Sequence, residues 1–120
     1  MSGQVVDKFI ERIDAVFLPV RNLQESLSWY QEVFGFELRW KNERMGGLAI
    51  APNCGFHLVQ ISDFQPIHQY TPFNFVVQDV EQVRTRLIDR GVTVSELRHG
   101  EPKRFDLTDV NGNMISVIQL

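Results

Sequence analysis

Apolar and polar positions follow two different periods along this chain. Between Val20 and Leu38, apolar residues first recur every three to four positions on one helical face and then alternate strictly with polar ones. Asn22 is a typical N-cap, Glu25 completes a capping box, and Gly35 is a typical helix stop. The pattern predicts a capped amphipathic helix followed by a half-buried strand.

The same order returns 57 residues later, with Asp79 as the cap, Gln82 closing the box and Gly91 ending the helix. The second helix is predicted over 80–90. The remaining apolar or alternating runs predict strands at 13–20, 36–41, 48–51, 56–61, 73–77, 92–97, 103–108 and 114–120. The chain therefore has the order βαβββ twice, and such a repeat predicts two similar units packed around a shared centre.

The predicted organisation consists of an N-terminal extension and a single domain. Residues 1–12 form an N-terminal extension, in which the spacing of apolar residues predicts a short amphipathic turn packed on the domain or on a partner subunit. Residues 13–120 form a single domain of two halves, 13–61 and 72–120, joined by an aperiodic connector. Within the first half, NERMGG at 42–47 predicts a hairpin turn whose two glycines adopt positive φ.

Composition excludes several classes of protein. The chain is 43% hydrophobic and 22% charged, which is ordinary for a globular domain of 120 residues. Its net charge of −3 and the lack of a basic cluster argue against a nucleic-acid partner. The single cysteine, Cys54, excludes an internal disulfide and favours a reducing cytoplasm. No apolar run has membrane-spanning length and no signal-peptide pattern is present, so we expect a cytoplasmic protein without a membrane partner.

Three segments carry a likeness to a known family: VRNLQESLSWYQEVFGFEL (20–38), VQDV (77–80) and DVNGNMISVIQL (109–120). They resemble the vicinal oxygen chelate superfamily, which includes glyoxalase I, bleomycin-resistance proteins and extradiol-type dioxygenases. The likeness covers residues 13–120. It implies an α+β fold, in which the tandem βαβββ repeat forms a curved mixed sheet with the helices on its outer face. One such fold hosts many chemistries, so the reaction does not follow from it.

In the enzymes of this superfamily, four strands each place one ligand of a divalent metal in a cup. The likeness assigns these positions to Ala15, His57, Pro72 and Ser116. Alanine and proline side chains have no donor atom, and a neutral serine hydroxyl is a poor ligand for a divalent transition metal. The sequence therefore predicts that the usual metal site is vestigial and that no cofactor is bound.

Several residues are candidates for binding a ligand in the cup. His57 lies in an apolar strand, and it is either a cup-facing hydrogen-bond or acid–base group or a core histidine. Asn74 either orients a ligand or forms hydrogen bonds with the backbone of a strand bulge near Pro72. The flanks of Ser116 show no nucleophile elbow, so this residue is interpreted as a small group that leaves room for a ligand.

Four further candidates complete the predicted site. Phe17 and Val59 are expected to line its apolar wall. Trp40 shares an apolar strand face with Phe36 and Leu38, and that face lines either the cup or a contact with a second chain. Arg104 is either a cup-rim group for an anionic ligand or a solvated edge residue.

Three functions are compatible with this pattern. The leading hypothesis is a small-molecule-binding protein of the bleomycin-resistance type, whose ligand lies between the subunits of a homodimer in a cup lined by Ala15, Phe17, Val59, Val76 and Ile118. The alternative is a divalent-metal-dependent lyase, isomerase or dioxygenase of the glyoxalase type, in which His57 is joined by His68, Asp106 or a residue of another chain. The third is a partner-binding module whose cup is filled by its own side chains.

Overall fold

The structure is a computed structural model and describes residues 6–120. Each half contains one helix and four strands. In chain order the elements are β1 (Ala15–Val20), α1 (Leu23–Phe34), β2 (Glu37–Lys41), β3 (Met45–Ala51), β4 (Cys54–Gln60), β5 (Asn74–Val76), α2 (Val80–Asp89), β6 (Thr93–Val94), β7 (Lys103–Thr108) and β8 (Met114–Gln119). The predicted α+β fold with a tandem βαβββ repeat is confirmed.

The strands form two four-stranded sheets with the same topology. The strand order is β1-β4-β3-β2 in the first sheet and β5-β8-β7-β6 in the second. In each sheet the first and last strands of the half, β1 with β4 and β5 with β8, pair in parallel, and the other pairs are antiparallel. Each sheet is therefore mixed. No helix among residues 6–120 is long and apolar enough to cross a membrane.

Local hydrogen bonds explain where the helices begin and end. The Asn22 side chain accepts a hydrogen bond from the backbone N–H of Glu25 at 2.9 Å, and Asp79 accepts one from Gln82 at 3.0 Å. Both bonds satisfy N–H groups that lack a partner within the helix. After α1, Gly35 has a φ of 73°, a conformation that favours glycine. Both predicted caps are confirmed.

An aromatic cluster joins the two halves on the sides of the sheets that carry the helices. Phe56 of β4 is fully buried and contacts Tyr30, Phe36, Phe73 and Phe75, with ring centroids 4.9–5.9 Å apart. Tyr30 and Phe36 belong to the first half, whereas Phe73 and Phe75 belong to the second. The halves therefore share one core, and the opposite face of each sheet points away from it.

A buried polar network makes a second connection between the halves. The hydroxyl of Tyr30 on α1 donates a hydrogen bond of 2.6 Å to Oδ2 of Asp109, which lies in the turn between β7 and β8. Oδ1 of Asp109 accepts from the backbone N–H groups of Asn111 and Asn113, at 2.8 and 2.9 Å. The Asn113 amide in turn donates to the carbonyl of Pro19 at 2.9 Å. The turn is thereby attached to both α1 and β1.

The ionisation of Tyr30 should make stability fall at alkaline pH. Burial, together with the negative charge of Asp109 and the hydrogen bond to it, raises the pKa of Tyr30 well above its usual value. The folded protein keeps this proton, whereas the unfolded chain releases it near pH 10, so the stabilisation is complete below about pH 10 and declines above it. We compare the free energy of unfolding of the wild type with that of Tyr30→Phe. Above about pH 10, the wild-type value should fall relative to the variant by up to ~1.4 kcal/mol per pH unit.

Urea denaturation between about pH 8 and pH 11 measures this difference, since the titration of the lysines is common to both proteins. Tyr70→Phe is the matched control, because the Tyr70 side chain is 63% exposed. A difference between the wild type and Tyr30→Phe that does not change with pH would contradict the prediction.

The predicted hairpin between β2 and β3 is present, but the predicted extent of its turn, 42–47, and the positive φ of its two glycines are wrong. The turn is shorter: the side chain of Asn42 accepts hydrogen bonds from the backbone N–H groups of Arg44 and Met45, and β3 already begins at Met45. Gly46 and Gly47 are buried strand residues and do not have positive φ. Both are closely packed: a Cβ at Gly46 would lie 2.8 Å from Leu27 and one at Gly47 would overlap the Trp40 indole, so a larger residue at either position would displace that side chain.

The amphipathic turn predicted within the N-terminal extension is also wrong for the described residues, whereas the extension itself stays a prediction. Residues 6–14 are neither helical nor part of a strand, and the Phe9 side chain is 83% exposed, so no amphipathic turn packs on this domain. Val5, which contributed to the predicted spacing, lies outside the described residues. Packing on a partner subunit stays a prediction.

Candidate functional site

The candidate site lies on the open faces of the sheets, opposite the helices. Side chains directly across from each other on paired strands point to the same face. In the first sheet, Leu18 and Leu58 face the buried helix side, so the alternate positions face outward. These outward pairs between β1 and β4 are Ala15 with Gly55, Phe17 with His57, and Pro19 with Val59.

Three aromatic side chains form a row across this first open face. The His57 ring lies 4.8 Å from that of Phe17 and 5.0 Å from that of Trp40, nearly perpendicular to both. Gly47 lies between β2 and β4 and leaves the space that the Trp40 indole occupies. We call Phe17, His57 and Trp40 the aromatic row. The predicted candidates Phe17, His57, Val59 and Trp40 therefore lie on one surface.

The prediction that Phe36, Leu38 and Trp40 share one face of their strand is wrong, because a bulge interrupts the alternation. The β2–β3 register shifts between Leu38 and Trp40. Leu38 pairs with Leu48, which faces the helix side, whereas Trp40 pairs with Gly47 on the open face. Phe36 belongs to the buried aromatic cluster. The extra residue of a bulge moves every later side chain to the other face of the strand. Of Phe36, Leu38 and Trp40, only Trp40 therefore lies on the open face.

The two ring nitrogens of His57 have different surroundings. Nδ1 is buried and has no hydrogen-bond partner among residues 6–120. Nε2 lies next to Gly55, where an added Cβ would be 3.1 Å from it. A cleft of about 240 Å³ opens at this position, and its lining includes Asp14, Arg39, Trp40, Gly55 and His57. His57 is therefore not a core histidine whose nitrogens are both satisfied.

The open face of the second sheet carries a group of polar side chains. Asn74 on β5, Ser116 on β8 and Asp106 on β7 are successive register partners on this face. The Ser116 hydroxyl donates a hydrogen bond of 2.7 Å to Asp106, whose other oxygen lies 3.2 Å from the Arg98 guanidinium. Arg104 shares this face two residues before Asp106 and donates to the carbonyl of Pro102 at 3.2 Å. The side chain of Asn74 is exposed and forms no hydrogen bond within residues 6–120.

Sequence reasoning did not place Asp106 in the ligand-binding set. Alternation along β7 carries the necessary signal, because the buried residues Phe105 and Leu107 flank Asp106 and so direct it to the face opposite the core. Its contact with Ser116 depends on the register between β7 and β8, which the spacing within one strand does not reveal. The carboxylate therefore lies one strand away from the position that the superfamily pattern assigns to a metal ligand.

The residues at the four superfamily metal positions do not fit a divalent metal. Ala15 and Pro72 offer no side-chain donor, and the Ser116 hydroxyl already donates to Asp106. His57 supplies the one imidazole of the set, and its Nδ1 is buried. In the described part of the chain, no group of three or more His, Cys, Asp or Glu side chains is placed to hold an ion.

Within one chain, the predicted site residues form two separate groups. Phe17, His57, Val59 and Trp40 lie on the first open face, and the cleft at His57 is lined by residues of the first half alone. Asn74, Ser116 and Arg104 lie on the second face. No hydrogen bond or aromatic contact between described residues joins the two groups. Within one chain, the aromatic residues and the polar residues of the predicted cup therefore lie on different faces.

Two mixed βαβββ sheets with helices on one side and open faces on the other define a glyoxalase-like class of domain. A sequence profile of the Glyoxalase/Bleomycin resistance protein/Dioxygenase superfamily matches residues 12–117. The chain belongs to this superfamily, and the likeness in the three sequence segments is confirmed.

Solved structures show the same fold. An integron cassette protein from the mobile metagenome of the Halifax Harbour sewage outfall has a TM-score of 0.80 and 24% identity, over 92% of this chain and all of that one. The antibiotic-binding protein TnmS3 from Streptomyces sp. CB03234 has a TM-score of 0.81 and 22% identity, over 94% of this chain and 98% of that one. A superfamily member from Sphaerobacter thermophilus DSM 20745 has a TM-score of 0.78 and 18% identity, over 92% and 98%. No curated protein matches the chain.

Proposed function

We propose that this chain binds small organic molecules without a metal, in a cup formed between two subunits. The observation that supports it is that the four superfamily metal positions lack a donor set, while the open face carries the aromatic row, with the Nε2 side of His57 next to a cleft. Binding pockets commonly combine apolar walls with a few polar groups of this kind. The fold shared with the antibiotic-binding protein TnmS3 supports the proposal.

Exposed apolar surface favours the homodimer. Phe17 on the first open face is 58% exposed and Val76 on the second is 60% exposed, and such apolar surface on both faces is typical of an interaction site. A two-fold dimer can place the first face of one chain against the second face of its partner, which forms two equivalent cups. The cleft of about 240 Å³ is smaller than most small-molecule pockets, and a second wall would enlarge and close it.

The proposed roles follow from the chemistry of each face. Phe17, Val59 and Trp40 provide apolar contact area, and His57 offers a ring nitrogen to the ligand. From the partner, Asn74 contributes an amide that can orient the ligand, and Arg104 a cation at the rim. Ser116 keeps the centre of the second face small and polar, because its hydroxyl is held by Asp106.

Ligand-dependent stabilisation of metal-stripped protein tests this function. We expect at least one compound in a library of drugs and aromatic metabolites to raise the melting temperature, because a ligand at 100 times its Kd stabilises the folded state by about 2.7 kcal/mol. Phe17→Ser should abolish the shift. Tyr70→Ser, at a side chain of similar exposure in the connector, should preserve it. The absence of any shift across the library would contradict the proposal.

One observation favours the metal-dependent alternative. Asp106 adds a carboxylate to the second open face, and His57 has a ring nitrogen at the cleft of the first, so a dimer could bring these two donors into one cup. Metal analysis of the purified protein decides between the two functions. If the protein contains stoichiometric zinc, nickel, iron or manganese and His57→Ala loses it, the function is that of a glyoxalase-type lyase, isomerase or dioxygenase and the proposed metal-free binding is wrong.

A further inference from the structure

We infer that the aromatic row binds a flat aromatic molecule that carries a hydrogen-bond acceptor on its edge, and that His57 donates to this acceptor through Nε2–H. The inference rests on the proposed binding function and specifies its ligand class. It is carried by the aromatic row, by the burial of His57 Nδ1 and by the space beside Nε2.

The surroundings of His57 select one tautomer. A neutral imidazole has one N–H and one bare nitrogen, and the hydrogen bonds available to each decide which nitrogen carries the proton. A proton on the buried Nδ1 would create an N–H group without an acceptor, which is costly in an apolar environment. A proton on Nε2 lies on the side of Gly55, which lines the cleft together with His57, so water or a ligand there can accept from it. His57 is therefore a hydrogen-bond donor towards the cup.

Two glycines keep the donor accessible. Gly55 is directly beside Nε2, and a Cβ there would lie 3.1 Å from that nitrogen. Gly47 accommodates the Trp40 indole close to the sheet, so Trp40 flanks the imidazole and does not cover the cleft. A ligand atom can thus reach Nε2 from the open side.

The shape of the row favours a flat ring. Phe17 and Trp40 flank His57 and remain 58% and 39% exposed, so each can cover part of an aromatic ligand. Aromatic pairs gain stability beyond the area that they bury. A second copy of the chain would bring its other open face, whose side chains are aliphatic or polar: Asn74, Val76, Met114, Ser116, Ile118, Arg104, Asp106 and Thr108. That face has no aromatic side chain to pack against the aromatic row, whereas a planar ligand provides an aromatic ring.

Three matched probes test the inference by equilibrium dialysis against the full chain. Fluorenone is flat, aromatic and has a carbonyl acceptor; fluorene lacks the acceptor; dicyclohexyl ketone lacks the aromatic rings. We expect fluorenone to bind most tightly. His57→Phe should weaken its binding about fivefold, because one neutral hydrogen bond is lost, and should leave fluorene binding unchanged. His57→Gln should restore binding to within about twofold, since its amide nitrogen can donate from a similar position.

Histidine ¹⁵N NMR gives an independent readout on the ligand-free protein. Isotope-labelled wild type, compared with His57→Gln to assign the signal, should show the Nε2–H tautomer for the neutral imidazole. An Nδ1–H tautomer would overturn the inference, as would equal loss of fluorene and fluorenone binding in His57→Phe. If a non-aromatic compound stabilises the protein and fluorenone does not bind, the inference fails while the proposed binding function survives.

Discussion

Replacing Asp109 with alanine lowers the free energy of unfolding by about 3–5 kcal/mol, because several buried neutral donors lose their shared acceptor at about 1–3 kcal/mol each. The carboxylate accepts from the Tyr30 hydroxyl and from the backbone N–H groups of Asn111 and Asn113. Alanine would leave all three donors buried without an acceptor, and each such group is expensive. The loss should appear as a lower urea midpoint with an unchanged slope.

Two comparisons make this expectation specific. Asp63→Ala, at an exposed loop carboxylate, should change stability by less than about 0.5 kcal/mol. Tyr30→Phe should cost less than Asp109→Ala, because it removes one donor and leaves the two backbone bonds to the carboxylate intact. A loss below about 1 kcal/mol in Asp109→Ala would show that the turn does not hold the halves together.

Replacing Phe56 with alanine costs about 3–5 kcal/mol, since a large buried ring is lost and its site cannot fully collapse. Phe56 is fully buried and contacts rings from both halves. We therefore expect its removal to destabilise the whole domain, so that calorimetry still shows one transition at a lower temperature.

Phe9→Ala is the matched control for this substitution. The same atoms are removed, but from a side chain that is 83% exposed, so the melting temperature should not change. Two separate transitions in Phe56→Ala would contradict the shared core, because they would mean that the halves can unfold independently.

The helices were predictable from the sequence because their signals are local. Asn22 and Asp79 each cap a helix through a bond to a residue three positions later, and the apolar spacing defines the buried face. The start of β3 was missed because Gly46 and Gly47 resemble turn residues, whereas the space that they provide is needed by side chains distant in sequence.

The candidate site was predictable in its residues and less so in its geometry. Alternation placed Phe17, His57 and Val59 together, since β1 and β4 run without interruption. The contact between Trp40 and His57 depends on the bulge in β2, and that of Ser116 with Asp106 depends on a register between strands. Such pairings are determined by tertiary packing, which periodicity within one strand does not report.

The adjacent glycines of β3 have a consequence for how the open face can change. A side chain added at Gly46 would point at Leu27 in the core, whereas one added at Gly47 would point at Trp40 on the open face. Substitutions at these two consecutive residues would therefore affect separate properties. The first would change how tightly α1 packs, and the second would change the position of the Trp40 indole. The shape of the open face can therefore diverge at the second position while the scaffold beneath it is retained.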